Sequence, residues 1–403
     1  MDARKGPTLF SVGSLGHALE RFLGAIQLPS GLTSHRSVRL THSPARTHIQ
    51  SIYPIMCKVL LFSLVLGSSS CHHATEPPPP PGIDTTSHNV IWTMTTLGNG
   101  NSSTLKDIAI INDTLAYAVG EIYLNDSTGR LDLTPYNLAI WNGFQWRLER
   151  AKVTYNGNVI TLPLEGAFAF SGTDIWLVGS LPIHGDGKSW NVYDIRATTD
   201  SGLSVSRAWG TDSRNMYFVG RGGSIAHFDG TNWTKIQSGT KLDFYDIFGN
   251  GAEIVAVAGE LLVSYDRKIV SVSSGEALIV PDSGVYETQH SIWSPNPNVY
   301  FVAGNGLYSK DNIQSKSPWQ RLDTWQPSYY IFAIRGNGAN DLFACGSYGE
   351  ILHYNGSTWK SYRNNVALGN GDYNALAVRG NTVICVGEDM SGNAVIAQGN
   401  RAP

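Results

Sequence analysis

From Val90 onward the apolar residues of this chain alternate with polar ones in short runs, and no stretch holds the helical period of an amphipathic α-helix. Gly, Asn-Gly and Asp-Gly steps separate the runs, so the pattern predicts short antiparallel strands joined by tight turns. One run recurs: Asn215-Met-Tyr-Phe-Val-Gly220, Asp174-Ile-Trp-Leu-Val-Gly179 and Asp341-Leu-Phe-Ala-Cys-Gly346, with looser copies ending at Gly120, Gly259, Gly304 and Gly387. The spacings between these marker glycines are 59, 41, 39, 45, 42 and 41 residues. A second element follows the glycine. Ser224-Ile-Ala-His-Phe-Asp-Gly-Thr-Asn-Trp233 matches Glu350-Ile-Leu-His-Tyr-Asn-Gly-Ser-Thr-Trp359 position by position, and Leu138-Ala-Ile-Trp-Asn-Gly-Phe-Gln-Trp146 is a third copy.

Each unit therefore reads as four strands, the last opened by Trp, and this is the period of a β-propeller. The last unit ends at Pro403 without an outer strand, while Val90-Ile-Trp92-Thr-Met-Thr-Thr-Leu97 stands alone at the front and opens with an apolar run containing Trp. Pairing the two closes a ring and removes two exposed edges. The expected fold is all-β: a seven-bladed β-propeller of four-stranded blades over 89–401, closed by the N-terminal strand completing the last blade.

The wide first spacing predicts enlarged links in the first two blades, Glu121–Asn137 and Ser180–Asn191, side by side on one rim. Rigid scaffolds carry function on such loops, so Tyr123, Asp126, Asp132, Tyr136, His184, Asp186 and Trp190 are candidate ligand or partner contacts; the plainer alternative is that these links cover an edge. Asp126 and Asp132 lack calcium-loop spacing. A second candidate set falls at the start of the inner strands, near the mouth of the central channel: Asp107, Arg207, Asp246, His290, Tyr330 and Asn374. These either bind a ligand or satisfy backbone groups. His227 and His353 share one repeat position, three blades apart, and are expected to be structural, as are Trp146, Trp233, Trp319 and Trp359. No metal or cofactor is implied.

The front of the chain reads differently. Residues 1–55 show no sustained periodicity and are expected to precede the true start, Met56. Residues 56–71 resemble a lipoprotein-type signal peptide: Lys58, the apolar run Val59–Leu66, then Gly67-Ser-Ser-Ser-Cys71, with Cys71 the expected lipidated residue. The apolar run is too short to span a bilayer. Residues 72–88, containing Pro77–Pro81, form an extended spacer.

Charge narrows the partner classes. The first 70 residues hold seven of the 29 Lys/Arg and two of the 32 Asp/Glu, leaving 22 basic against 30 acidic residues downstream. That surface does not suit nucleic acid. Cys345 and Cys385, one and two residues before their marker glycines, should lie on opposite strand faces as buried free thiols.

At Asp174–Gly179, Ile225–Trp233 and Ile351–Trp359 the chain resembles a group of bacterial surface lipoproteins with Trp-containing propeller repeats, a group often given the label glucosyl transferase. The repeat is also similar to units of sialidase-like and plant photosystem-assembly propellers, although the Asp-box is not reproduced. The resemblance implies a lipid-anchored envelope protein; with the enlarged links it leads to the expectation of a monomer that binds a protein or glycan. The residues offer a transferase little: no Asp-x-Asp element, no Gly-rich phosphate loop, no α/β alternation. The alternative function is a carbohydrate-active enzyme at the channel mouth, for which Asp107 and Asp246 would be the facing carboxylates.

Overall fold

The computed structural model describes residues 85–401, apart from 252, 262–265, 274 and 323–328. The signal region, Cys71 and most of the spacer lie outside the described residues. Seven four-stranded antiparallel sheets follow one another along the chain. Blade three is typical, with strands Ser204–Asp212, Asn215–Arg221, Ile225–Phe228 and Trp233–Lys235 in sequence order from the inside out. Blade seven takes Asp372–Arg379, Thr382–Glu388 and Ala394–Arg401 from the C-terminal end and Val90–Leu97 from the front. The register runs from Val90 opposite Arg401 to Leu97 opposite Ala394, so the two ends of the chain close the ring.

The core sits between blades rather than within them. Seven apolar clusters occupy the seven junctions; Leu105, Ile108 and Ala116 of blade one, for example, pack with Ile384, Val386 and Ile396 of blade seven. This follows from strand alternation: each sheet is apolar on both faces and buries each against a neighbour. The marker glycines arise from the same packing. A Cβ on Gly346 would overlap the Tyr330 carbonyl oxygen, and one on Gly387 that of Asp372, because the inner strand crosses there against bare backbone. The two cysteines meet for a related reason. They point to opposite faces of their own strands, but adjacent blades stack face to face, so Cys345 and Cys385 share the cluster between blades six and seven as buried free thiols.

Two expectations about insertions are corrected. Blade two has no enlarged hairpin link: Ser180 alone, at positive φ, joins Asp174–Gly179 to Leu181–Gly185. The extra residues instead form a separate hairpin, Lys152–Tyr155 with Asn158–Thr161, between blades one and two. The stretch read as a loop is the third and fourth strands of blade two, Leu181–Gly185 and Trp190–Val192. In blade one the enlarged link, between Leu115–Ile122 and Tyr136–Trp141, is present.

Candidate functional site

Antiparallel alternation sorts the links into two faces. Links between second and third strands, and links from one blade to the next, emerge on what we call the front; first-to-second and third-to-fourth links emerge on the back. Inner strands start at the front, so the channel mouth with the predicted polar ring opens there.

In six inner strands a β-bulge interrupts the ladder just after the start, leaving Lys106, Ser206, Tyr245, His290, Phe332 and Asn374 unpaired. A bulge re-aims side chains. The predicted ring residues do not share one register: His290 and Asn374 are bulged, Asp107, Arg207 and Asp246 follow the bulge, and Tyr330 precedes its strand. Most of them turn sideways to the neighbouring blade. Asp107 accepts the backbone N–H of Ile108 at 2.9 Å and that of Ala167, in blade two, at 3.1 Å. Asp246 repeats this with Ile247 (2.9 Å) and, in blade five, Ile292 (3.0 Å). Arg207 donates to the Glu165 carbonyl. His290 Nδ1 donates to the Phe332 carbonyl at 2.8 Å, and Asn374 donates to the Leu105 carbonyl at 2.9 Å. Five of the six candidates thus stitch five of the seven junctions.

Arg335, which the sequence reading missed, completes the seam. Its guanidinium extends from blade six past Ser291 and the Ile292 carbonyl to a two-pronged pair with Asp246, both N···O distances 2.9 Å. Burial is the largest influence on Asp246 and opposes its ionisation, but Arg335, the Ser291 hydroxyl and the Ile292 amide together hold the carboxyl below the usual range. Burial dominates at Asp107 and pushes that carboxyl up, with Arg207 and Arg335 opposing. The two acids therefore share the influence of one guanidinium, and their lone pairs are taken by backbone and arginine.

The rest of the mouth is aromatic. Tyr245 and His290 stack at 4.6 Å, and His290 meets Phe332 edge-on at 5.2 Å and Tyr330 at 6.1 Å. Burial pulls His290 down to about 4, so the ring is neutral at physiological pH, and pushes Tyr245 up to about 12 and Tyr330 higher still. The Tyr330 hydroxyl is enclosed and has no hydrogen-bond partner.

Of the loop candidates, Tyr123, Asp126, Asp132 and Tyr136 belong to the blade-one link on the front. Asp126 caps its own turn through Thr128 and Arg130. Asp132 pairs with Arg150 at 2.6 Å, and Arg150 lies over the Tyr136 ring at 4.0 Å. His184, Asp186 and Trp190 are not on this rim; the Asp186 turn joins third to fourth strand and faces the back. Asp186 accepts the N–H groups of Lys188 and Ser189, as Asp229 does those of Thr231 and Asn232. His184 bonds Asp174 at 2.9 Å and stacks on Trp176, as His227 does with Asn215 and Tyr217, and His353 with Asp341 and Phe343. His184-Gly-Asp-Gly-Lys-Ser-Trp190 is thus the repeat motif His-x-Asp-Gly-x-x-Trp, legible in the sequence had the hairpin been sought there.

The chain enters the ring from the back. Thr86 donates from N to the Asn355 carbonyl and from Oγ1 to the Asn340 carbonyl, both in back turns of blade six. His88 Nδ1 lies 2.8 Å from Nδ1 of fully buried His353, and its carbonyl accepts the Tyr362 hydroxyl at 2.6 Å. His353 donates its Nε2–H to Asp341, so Nδ1 of His353 accepts and that of His88 donates.

No family model matches the chain, and no curated protein matches it. Solved structures do. A structure described as YCF48 bound to D1 peptide aligns with TM-score 0.57 and 16% identity over 80% of this chain and all of that one. YCF48 from Cyanidioschyzon merolae gives 0.54 and 14% over 76% and 98%, and the WD40 propeller domain of Doa1 gives 0.54 and 11% over 76% and 96%. The chain shares their propeller fold.

Proposed function

We propose that this protein is an interaction module of the bacterial envelope, anchored through Cys71, that docks a protein partner on its front face. The observation that carries this is the segregation of exposed apolar side chains. Leu133, Tyr286, Tyr348 and Met390, between 42% and 81% exposed, lie in front links, whereas the back turns contribute Phe144; Ile91, Met94, Leu278 and Ile279 stand on outer strands and Val159 on the inserted hairpin. Apolar groups gathered on one face of a rigid disc mark a contact surface. Entry of the chain at the back, beside blade six, is the arrangement that would turn the front away from an anchor. The solved neighbour described as bound to the D1 peptide is a propeller of the same kind with a polypeptide ligand. The glycosyl-transfer alternative draws no support from Asp107 and Asp246, whose oxygens are engaged in the blade seams.

Photo-crosslinking in cells tests this. A photoreactive residue at Leu133 or Met390 should give one discrete protein adduct that Phe144 does not give, and Cys71→Ser should move the protein from the membrane to the soluble fraction. Equal adducts from front and back, or none from the front, would overturn the docking face; membrane retention of the Cys71→Ser protein would overturn the anchor.

A further inference from the structure

The aromatic half of the channel mouth has a charge pattern that its structural role does not use. Tyr245, His290 and Phe332 are bulged residues of three consecutive blades, released from the ladder and half-buried, and with Tyr330 they form a continuous run of rings. Around them stand carboxylates. Asp243 and Glu260 act on Tyr245, and Glu287 acts on Tyr330. Two arginines of the mouth are paired with carboxylates, Arg335 with Asp246 and Arg221 with Glu165 at 3.0 Å; Arg207, held by the Glu165 carbonyl, keeps its charge and acts on His290 from blade three. His290, donating from Nδ1, keeps Nε2 as an acceptor. The site therefore offers π faces, an acceptor nitrogen and carboxylates acting on Tyr245 and Tyr330.

Taking the front-face reading as its basis, we propose that Tyr245, His290, Phe332 and Tyr330 form a binding site for the lysine or arginine side chain of the partner polypeptide. Ring faces attract cations through their quadrupole, and the effect grows as the cation is desolvated. The same rim already holds one such pair: Arg363 lies over the Tyr329 ring at 5.0 Å and donates to its hydroxyl at 2.8 Å. A neutral sugar would gain the rings but nothing from the carboxylates. A cation gains both. The body's excess of acidic residues, 30 against 22, favours its approach.

The test titrates the full chain by calorimetry with an acetylated, amidated (Gly-Lys)4 peptide. Matched (Gly-Gln)4 and (Gly-Glu)4 peptides and cellohexaose are the other arms. The lysine peptide should bind and the other three should not. Tyr245→Leu should weaken it about five-fold, from roughly 1 kcal/mol per ring at a partly desolvated site. Asp243→Asn with Glu287→Gln should weaken it further, while Glu276→Gln on the outer strand of blade four should change nothing. Phe332→Leu, which removes a second ring of the run, should also weaken binding and serves if Tyr245→Leu fails to fold. Equal binding of the glutamine peptide or cellohexaose, or lysine binding indifferent to Tyr245→Leu and Phe332→Leu, would overturn the site. If the crosslinked partner still binds the Tyr245→Leu protein but not one carrying Leu133→Asp and Met390→Asp, the docking face stands and the cation site falls.

Discussion

The pair between Asp246 and Arg335 is the sharpest place to test the seam reading of the channel. Asp246 is 4% exposed and accepts five hydrogen bonds: two from Arg335, one from the Ser291 hydroxyl at 2.6 Å, and one each from the amides of Ile247 and Ile292. Asp246→Asn keeps the shape, removes the charge and turns an N–H group toward donors. A buried guanidinium that loses its counter-ion costs about 3–5 kcal/mol. Arg335→Met should cost a similar amount by stranding the carboxylate. In the double variant neither charge remains, so the loss should fall short of the sum by about 2 kcal/mol or more. Urea unfolding followed by tryptophan fluorescence gives the numbers. At a slope of about 3 kcal/mol per molar, each single change moves the midpoint down by roughly 1–2 M. Additive losses, or a single loss below about 1 kcal/mol, would show that the pair is solvated and that Asp246 is available for other work.

Three further outcomes follow from the packing. Gly346→Ala should lower the unfolding midpoint by an amount equivalent to about 1–3 kcal/mol, since its Cβ meets backbone that cannot move aside. His290 is neutral in the folded protein, its pKa held near 4 against 6.5 unfolded, so the unfolded chain binds the extra proton. Its contribution is therefore complete above pH 6.5 and is lost as pH falls toward 4, on the order of 3 kcal/mol in all. The His290→Asn protein should show a flatter stability profile across that window in urea titrations. Removing residues 1–97 deletes Val90–Leu97 and bares the edge of Ala394–Arg401; that protein should elute as aggregates on size exclusion, whereas removal of 1–84 should leave the elution of the propeller unchanged.

Much of the architecture was legible in the chain because a propeller repeats its physics. Most blades have a bare glycine where the inner strand crosses, and several add an Asp-Gly or Asn-Gly turn and an outer tryptophan, so Gly220, Asp229-Gly230 and Trp233 announce blade three without any coordinates. The orphan run at Val90 announced closure for the same reason: an edge without a partner is unstable alone. Blade two was misread since its Gly179 is followed at once by the next strand, and one residue at positive φ does the work of a loop.

The site depended on distances between blades, which alternation within a strand does not report. Asp107 and Asp246 looked like a facing acid pair; the bulges turned them sideways onto Ala167 and Ile292, and Arg335, 89 positions along the chain from Asp246, came to pair with it. Tyr245 and Phe332, silent as single aromatic residues, became a surface once three blades were set side by side. A repeat dictates what each blade is made of. Which side chains meet in the channel is decided when the ring closes, because only then do residues of different blades come within reach of one another.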